Sequence, residues 1–314
     1  MKYNRLGNTD VAVSAVGLGG WPFGGGYDWG PVDSKAVLQT IDIALTNGIN
    51  WIDTAPIYGE GKSETLIGQA LISRRKEIIL ASKCGLVKNG SWTDHDLRPA
   101  SIQKQLKSSL ARLKTDYLDV YFIHYPDPKI PLEEAVAELA RMQREGAIRT
   151  IGLCNVSAEE VRRANEVAPI ACVQNEYSLL HPQRGEEVFR TCRELQIGFV
   201  GYGTLCGGIL SGKYKTAPNL RRADARNYFY KCYRTDGFEQ VQPIVARVKQ
   251  VARKYNCTPS AVAVAWALHR AEVTSVLCGA RRGEQMVQNI QGAALNLTEQ
   301  DLSVLEGKNE HYGN

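Results

Sequence analysis

Eight short apolar runs, separated by stretches of helical periodicity, recur almost end to end along this 314-residue chain. They are AVGLG (15–19), INWID (49–53), EIILAS (77–82), LDVYFIH (118–124), RTIGLCN (149–155), ACVQNE (171–176), GFVGY (198–202) and TSVLCG (274–279). Each has strand length, and most lack polar alternation, as expected of strands covered on both faces. Between them, Asp33 can cap a helix that stops at Gly48, with Val37, Ile41, Ala44 and Leu45 on one face. Pro99 opens a second helix, with Ile102, Leu106, Leu110 and Leu113 inward, and Pro131 a third that ends at Gly146. Ser157 and Glu160 have the spacing of a capping box.

Strand–helix alternation without a linker or composition break predicts one α/β domain over residues 1–314, a (β/α)8 TIM barrel. An open doubly wound sheet binding a dinucleotide would want G-x-G-x-x-G after its first strand, and the chain has none. Lys2 to Val13, around Asn8-Thr9-Asp10, reads as an N-terminal β-hairpin that covers the barrel bottom. Extra helices are expected at the C-terminus. The irregular stretch from about Gly203 to Gln240 is too long for a connector and is expected to be functional.

Composition removes several function classes. The net charge of +5 comes from 38 basic and 33 acidic residues with no basic stripe, which argues against nucleic acid. No run approaches the roughly 20 apolar residues of a membrane span, and the first residues lack the apolar core of a signal peptide. The eight cysteines form no C-x-x-C pair and no zinc spacing, so reduced thiols in a cytoplasmic protein without a metal are expected. The expected partner is a small molecule, bound by a monomer or weak homo-oligomer.

Chemistry concentrates where the runs end. WIDTAPIYGEGKSE (51–64) contains Gly61-Lys62-Ser63, but a phosphate loop needs a glycine five residues before the Gly-Lys pair. Pro56 stands there, without an N–H. Barrel enzymes instead carry their chemistry at the C-terminal ends of strands. The second run ends at Asp53, the third reaches Lys83, the fourth ends at His124, and Tyr58 follows closely after Asp53. A phenol has a pKa near 10. Lys83 beside Tyr58 would lower it, Asp53 would hold Lys83 charged, and His124 could donate to a carbonyl oxygen. Tyr58 then serves as proton donor to an oxygen that gains charge, as when hydride attacks an aldehyde or ketone. A central lysine also fits a Schiff-base lyase with Lys83 as nucleophile.

Asp53-Thr54-Ala55-x-x-Tyr58-Gly59, Ser82-Lys83 and Ile123-His124-x-Pro126-Asp127 resemble the motifs of the aldo-keto reductases. The likeness continues through Gly152-x-x-Asn155, Gln174-x-x-Tyr177, Tyr202-x-x-Leu205, Gly208-x-Leu210-x-Gly212-Lys213-Tyr214, Gly279-Ala280-Arg281 and Asn289, and is nearest to the bacterial, short-tailed members. It implies that Asp53, Tyr58, Lys83 and His124 form a catalytic tetrad. It implies a nicotinamide cofactor, NADPH before NADH. Asn155, Gln174 and the neighbouring Cys154 would hold the carboxamide, and Tyr202 would stack on the ring. Leu205, Gly207, Leu210 and Lys213 would wrap the diphosphate; Gly279, Arg281, Gln285 and Asn289 would take the adenosine 2′-phosphate and adenine. Cys154 and Gly203 depart from the serines common in the family. Some members are non-catalytic, redox-sensing channel subunits, which leaves that alternative open.

Aromatic residues cluster in loops near the expected carbonyl site. Trp21, Phe23, Tyr27 and Trp29 follow the first run, Trp92 the third, and Tyr125 adjoins His124. Such walls suit apolar or aromatic aldehydes. Glycines 24 to 26 would make the first loop pliable. Arg222, Asp224 and Arg226 could order the long loop over a cofactor.

Overall fold

The apolar runs form a closed barrel of eight parallel strands. These are β1 (Val16–Gly19), β2 (Trp51–Asp53), β3 (Ile79–Cys84), β4 (Leu118–Ile123), β5 (Ile148–Cys154), β6 (Ile170–Glu176), β7 (Gly198–Tyr202) and β8 (Val273–Gly279). They follow sequence order around the ring, and β8 closes onto β1 through the pair Val276–Val16. The computed structural model describes residues 1–90 and 92–308, with side chains for all of these but Tyr27 and Thr235.

The helices cover the strands as the periodicity predicts: α1 (Ser34–Thr46), α2 (Lys62–Ala70), α3 (Pro99–Leu113), α4 (Leu132–Arg144), α5 (Ala158–Val167) and α6 (Gln183–Glu194). Asp33 caps α1 by accepting from the Lys35 amide, and the Ser157–Glu160 capping box is formed at α5. Two helices, α7 (Thr235–Lys254) and α8 (Pro259–His269), lie between β7 and β8; α9 (Gly283–Gln291) and an additional α10 (Glu299–Glu306) follow β8. The irregular stretch after β7 ends at α7, sooner than the sequence suggests, and is punctuated by single helical turns at Cys206–Ser211, Arg226–Phe229 and Lys231–Tyr233. Among the described residues no helix is long and apolar enough to cross a membrane.

The two faces of the strands make two cores. Outward side chains join the helices in one large cluster, while Trp51, Ala81, Val120, Phe122, Cys154, Cys172, Val200 and Leu277 fill the barrel interior. The hairpin of Tyr3–Arg5 and Ala12–Ser14 plugs that interior from below with Leu6, Val11 and Val13. Its turn needs glycine: Gly7 has φ +60°, and a Cβ there would lie 2.3 Å from the Ala171 carbonyl oxygen. With the bottom sealed, the strand C-termini are the open end.

One element was not anticipated. After β3 the chain forms a second hairpin, Leu86–Asn89 with Trp92–His95. Asn89 pairs with Trp92, and Gly90, with φ +58°, opens the turn between them, a position where glycine is favoured.

Candidate active site

Asp53, Lys83 and His124 stand at the ends of three adjacent strands, β2, β3 and β4, so neighbouring register brings them together. Lys83 Nζ lies 2.5 Å from Asp53 Oδ2, donates to the Thr54 carbonyl at 2.9 Å, and reaches the Tyr58 hydroxyl at 3.3 Å. Lys83 is wholly buried. Burial works to lower its pKa, but Asp53, followed by Tyr58, more than reverses that, and the ammonium is held charged. The Tyr58 and His124 rings meet edge to face at 5.8 Å. Burial first, then the Lys83 charge, push His124 well below its ordinary 6.5, so the imidazole is neutral at neutral pH.

Tyr58 departs from the sequence expectation in the sign of its shift. Lys83 does pull the phenol down, by charge and by hydrogen bond, but burial is the larger influence and raises it above 10. Asp53 adds to the rise. The phenol is therefore a protonated donor throughout the neutral range.

The turn that carries Tyr58 is held from two sides. Ser63 donates to the Gly20 carbonyl at 2.8 Å and shares a 2.9 Å bond with Thr54, tying the loop after β1 to the start of α2. Gly24 and Gly59 then lie backbone on backbone: a Cβ on Gly24 would come 2.5 Å from the Tyr58 carbonyl carbon. A Cβ on Gly59 would come 2.1 Å from the Gly24 oxygen. Gly24 thus serves close packing rather than the pliable loop expected of glycines 24 to 26.

Strands β5 to β7 bring a second set to the same opening. Gln174 donates to Asp53 Oδ1 at 2.9 Å, Asn155 donates to the His124 carbonyl at 2.9 Å, and the Tyr202 hydroxyl donates to Asn155 Oδ1 at 2.7 Å. Beyond them, Arg281 donates to the Pro31 carbonyl at 2.6 Å, and Gln285 Oε1 accepts from the Arg281 and Arg282 amides.

Comparison with known proteins agrees with this arrangement. The profile of the Aldo/keto reductase family matches residues 15–310. The chain belongs to that family. It is 35% identical over 306 residues to aldo-keto reductase YhdN of Bacillus subtilis (strain 168), covering 96% of this chain and 92% of that one. The NADH-specific methylglyoxal reductase of Escherichia coli (strain K12) is also 35% identical, over 326 residues and 97% of each chain. Among solved structures, the glycerol dehydrogenase AKR11B4 from Gluconobacter oxydans superposes with a TM-score of 0.89 at 31% identity, over 99% of this chain and 96% of that one. The protein is an oxidoreductase of carbonyl substrates that uses a nicotinamide cofactor.

The residues of this aldo/keto reductase fit such a cofactor. Asn289 on α9 is 2% exposed, yet its side-chain nitrogen has no hydrogen-bond partner, and buried donors are rarely left so. Arg281 and Lys213 are exposed at the opening, with Lys213 Nζ over the Tyr214 ring at 4.9 Å. Gly207 has φ +63° inside the turn of Leu205–Ser211, and Gly279 is exposed at the end of β8. Two of the expected contact residues have fully buried side chains: Leu210 in the outer core, and Cys154 in the cluster that fills the barrel interior, close enough to Lys83 and Asp53 to feel their charges.

The aromatic wall is also reassigned in part. Trp21 is half-buried, 6.3 Å from the Tyr58 ring, with Trp29 edge-on to it at 5.1 Å. Tyr125 stacks on His124 at 5.4 Å. Phe23 is instead in the core, and the Tyr27 side chain lies outside the described ones. Trp92, at the tip of its two-stranded hairpin, is 78% exposed; the residue that folds back is His95, bonded to the Pro126 carbonyl. Sequence reasoning missed Phe229, which meets Trp21 edge-on at 5.0 Å. It lies in the long stretch after β7, where nothing local distinguishes it.

Proposed function

We propose that this reductase transfers a proton from Tyr58 to the oxygen of an aldehyde or ketone as the carbonyl carbon accepts hydride. The observation that carries the reading is Lys83, bonded at once to Asp53 and to the Tyr58 hydroxyl. A bound reduced nicotinamide supplies the hydride; the chain supplies everything else. Tyr58 donates its hydroxyl proton to the developing alkoxide, and Lys83, through its fixed charge, stabilises the phenolate that results. Asp53 keeps Lys83 charged and aimed. His124, neutral, orients the carbonyl oxygen by a hydrogen bond.

Gln174, Asn155 and Tyr202 would hold the nicotinamide end, Gly207, Leu205 and Lys213 the diphosphate, and Gln285 with Asn289 the adenine. Arg281 and Arg282 favour NADPH over NADH, since the 2′-phosphate needs local positive charge. The E. coli relative named NADH-specific makes this a property to be measured for this chain. All eight cysteines are free, which supports a reducing, cytoplasmic setting. A Schiff-base lyase is disfavoured, because the Lys83 nitrogen is protonated and committed to three acceptors.

The test is NADPH and NADH oxidation across a panel of aldehydes and ketones, repeated with Tyr58→Phe. Turnover should fall about 10²–10⁴-fold while the cofactor still binds by fluorescence titration. Near-full activity in the variant would end the assignment of Tyr58.

A further inference from the structure

Resting on the carbonyl-reductase reading, we propose that Phe229 is the specificity-determining residue for the far end of the substrate, selecting carbonyl compounds that carry a flat apolar group. The aromatic series runs outward from the chemistry: Tyr58, then Trp21 at 6.3 Å, then Phe229 edge-on to Trp21 at 5.0 Å. Phe229 is 58% exposed, so the part of the ring that is not packed on Trp21 is open to a ligand. A ring or flat chain extending from a carbonyl at Tyr58 would pass along Trp21 and meet Phe229.

Phe229 is held there, not left to wander. Its helical turn, Arg226–Phe229, is anchored by Arg226, which grips Asp224 with two parallel bonds of 2.8 Å and donates to the Tyr214 hydroxyl at 2.8 Å. The same guanidinium lies 5.4 Å over the Trp29 ring. The Ala225 amide donates to the Asp28 carbonyl at 2.9 Å, joining the loop after β7 to the loop after β1 across the opening. Asp28 in turn accepts from Trp21 Nε1 at 3.2 Å. These bonds engage the charged groups of Arg226 and Asp28 with protein partners, and the two rings they fix present an aromatic edge-to-face pair. An aromatic partner is the ligand such a surface rewards.

The experiment compares kcat/KM for 2-naphthaldehyde and propanal in the wild type, Phe229→Ala, Phe229→Trp and Tyr228→Ala. Tyr228 is as exposed as Phe229, but its hydroxyl is tied back to the Arg222 carbonyl, so it controls for loss of any surface ring. Phe229→Ala should lower the naphthaldehyde-to-propanal ratio about tenfold, mainly through KM. Phe229→Trp should keep the ratio, and Tyr228→Ala should not move it. An unchanged ratio in Phe229→Ala, or an equal change in Tyr228→Ala, overturns the role of Phe229 while leaving the reductase reading intact. A wild type that oxidises neither nicotinamide with either aldehyde overturns the parent reading and this one together.

Discussion

Gln174 donates to Asp53 Oδ1 at 2.9 Å, from the opposite side of the carboxylate that Lys83 holds through Oδ2. The pair is separated by 121 residues and both partners are buried. A residue expected to serve a cofactor is therefore also part of the support for Asp53 and, through it, Lys83.

Replacing Gln174 by Met should leave one oxygen of a buried carboxylate without a donor. Hydrogen bonds to charged groups contribute about 1.5–3 kcal/mol, and an orphaned acceptor carries its own desolvation penalty. Urea unfolding of the cofactor-free protein should show a loss of about that size. A stability equal to wild type would mean the bond contributes nothing in solution.

Lys83→Met removes the charge that opposes burial at Tyr58. The folded Tyr58 pKa already lies above 10, and Lys83 is the influence that restrains it, so its loss moves ionisation further upward. Alcohol oxidation uses the tyrosinate, and its alkaline rise should shift to higher pH. In the reducing direction, wild-type turnover should run flat through pH 6.5, because His124 stays neutral there. An oxidation profile unmoved in the variant, or an acid limb at the ordinary histidine value, would contradict these assignments.

Gly24→Ala places a methyl group 2.5 Å from the Tyr58 carbonyl carbon, against backbone that cannot rotate away. The Tyr58 turn must shift. Misplacement of about 1 Å can cost about 10²-fold in rate. Turnover should fall by about one to two orders of magnitude, with cofactor titration little changed because those contacts lie on other strands. Parallel losses in both would indicate general loosening of the opening instead.

Arg281→Ala should weaken NADPH binding about ten- to a hundredfold and leave NADH nearly untouched, from the ~1.5–3 kcal/mol of a charge-assisted contact. The preference in the wild type should shrink as salt rises. Equal losses for both cofactors would put Arg281 on a part the two share.

The strands and the clustering of Asp53, Tyr58, Lys83 and His124 were legible because both obey short-range rules. Runs such as LDVYFIH (118–124) are apolar on both faces, and Asp53, Lys83 and His124 sit where runs stop. What the sequence concealed is long-range or conformational. Phe229 meets Trp21 where Ala225 bonds to Asp28 and so joins the loop after β7 to the loop after β1. Trp92 looked like a wall because it is aromatic and follows β3, but it stands at the exposed tip of a hairpin. The sign of the Tyr58 shift depended on burial, which charge spacing does not report.

The strand order has a consequence for when this protein can first act. The residues proposed to handle the proton come from β2 to β4, but Gln174 waits for β6, Phe229 for the stretch after β7, and the ring itself for β8 to pair with β1. During synthesis the emerging chain would hold its reactive groups without the partners that tune and cover them. Fragments ending before β8 should therefore be inert, and activity should arrive all at once, as a late event of ribosomal release.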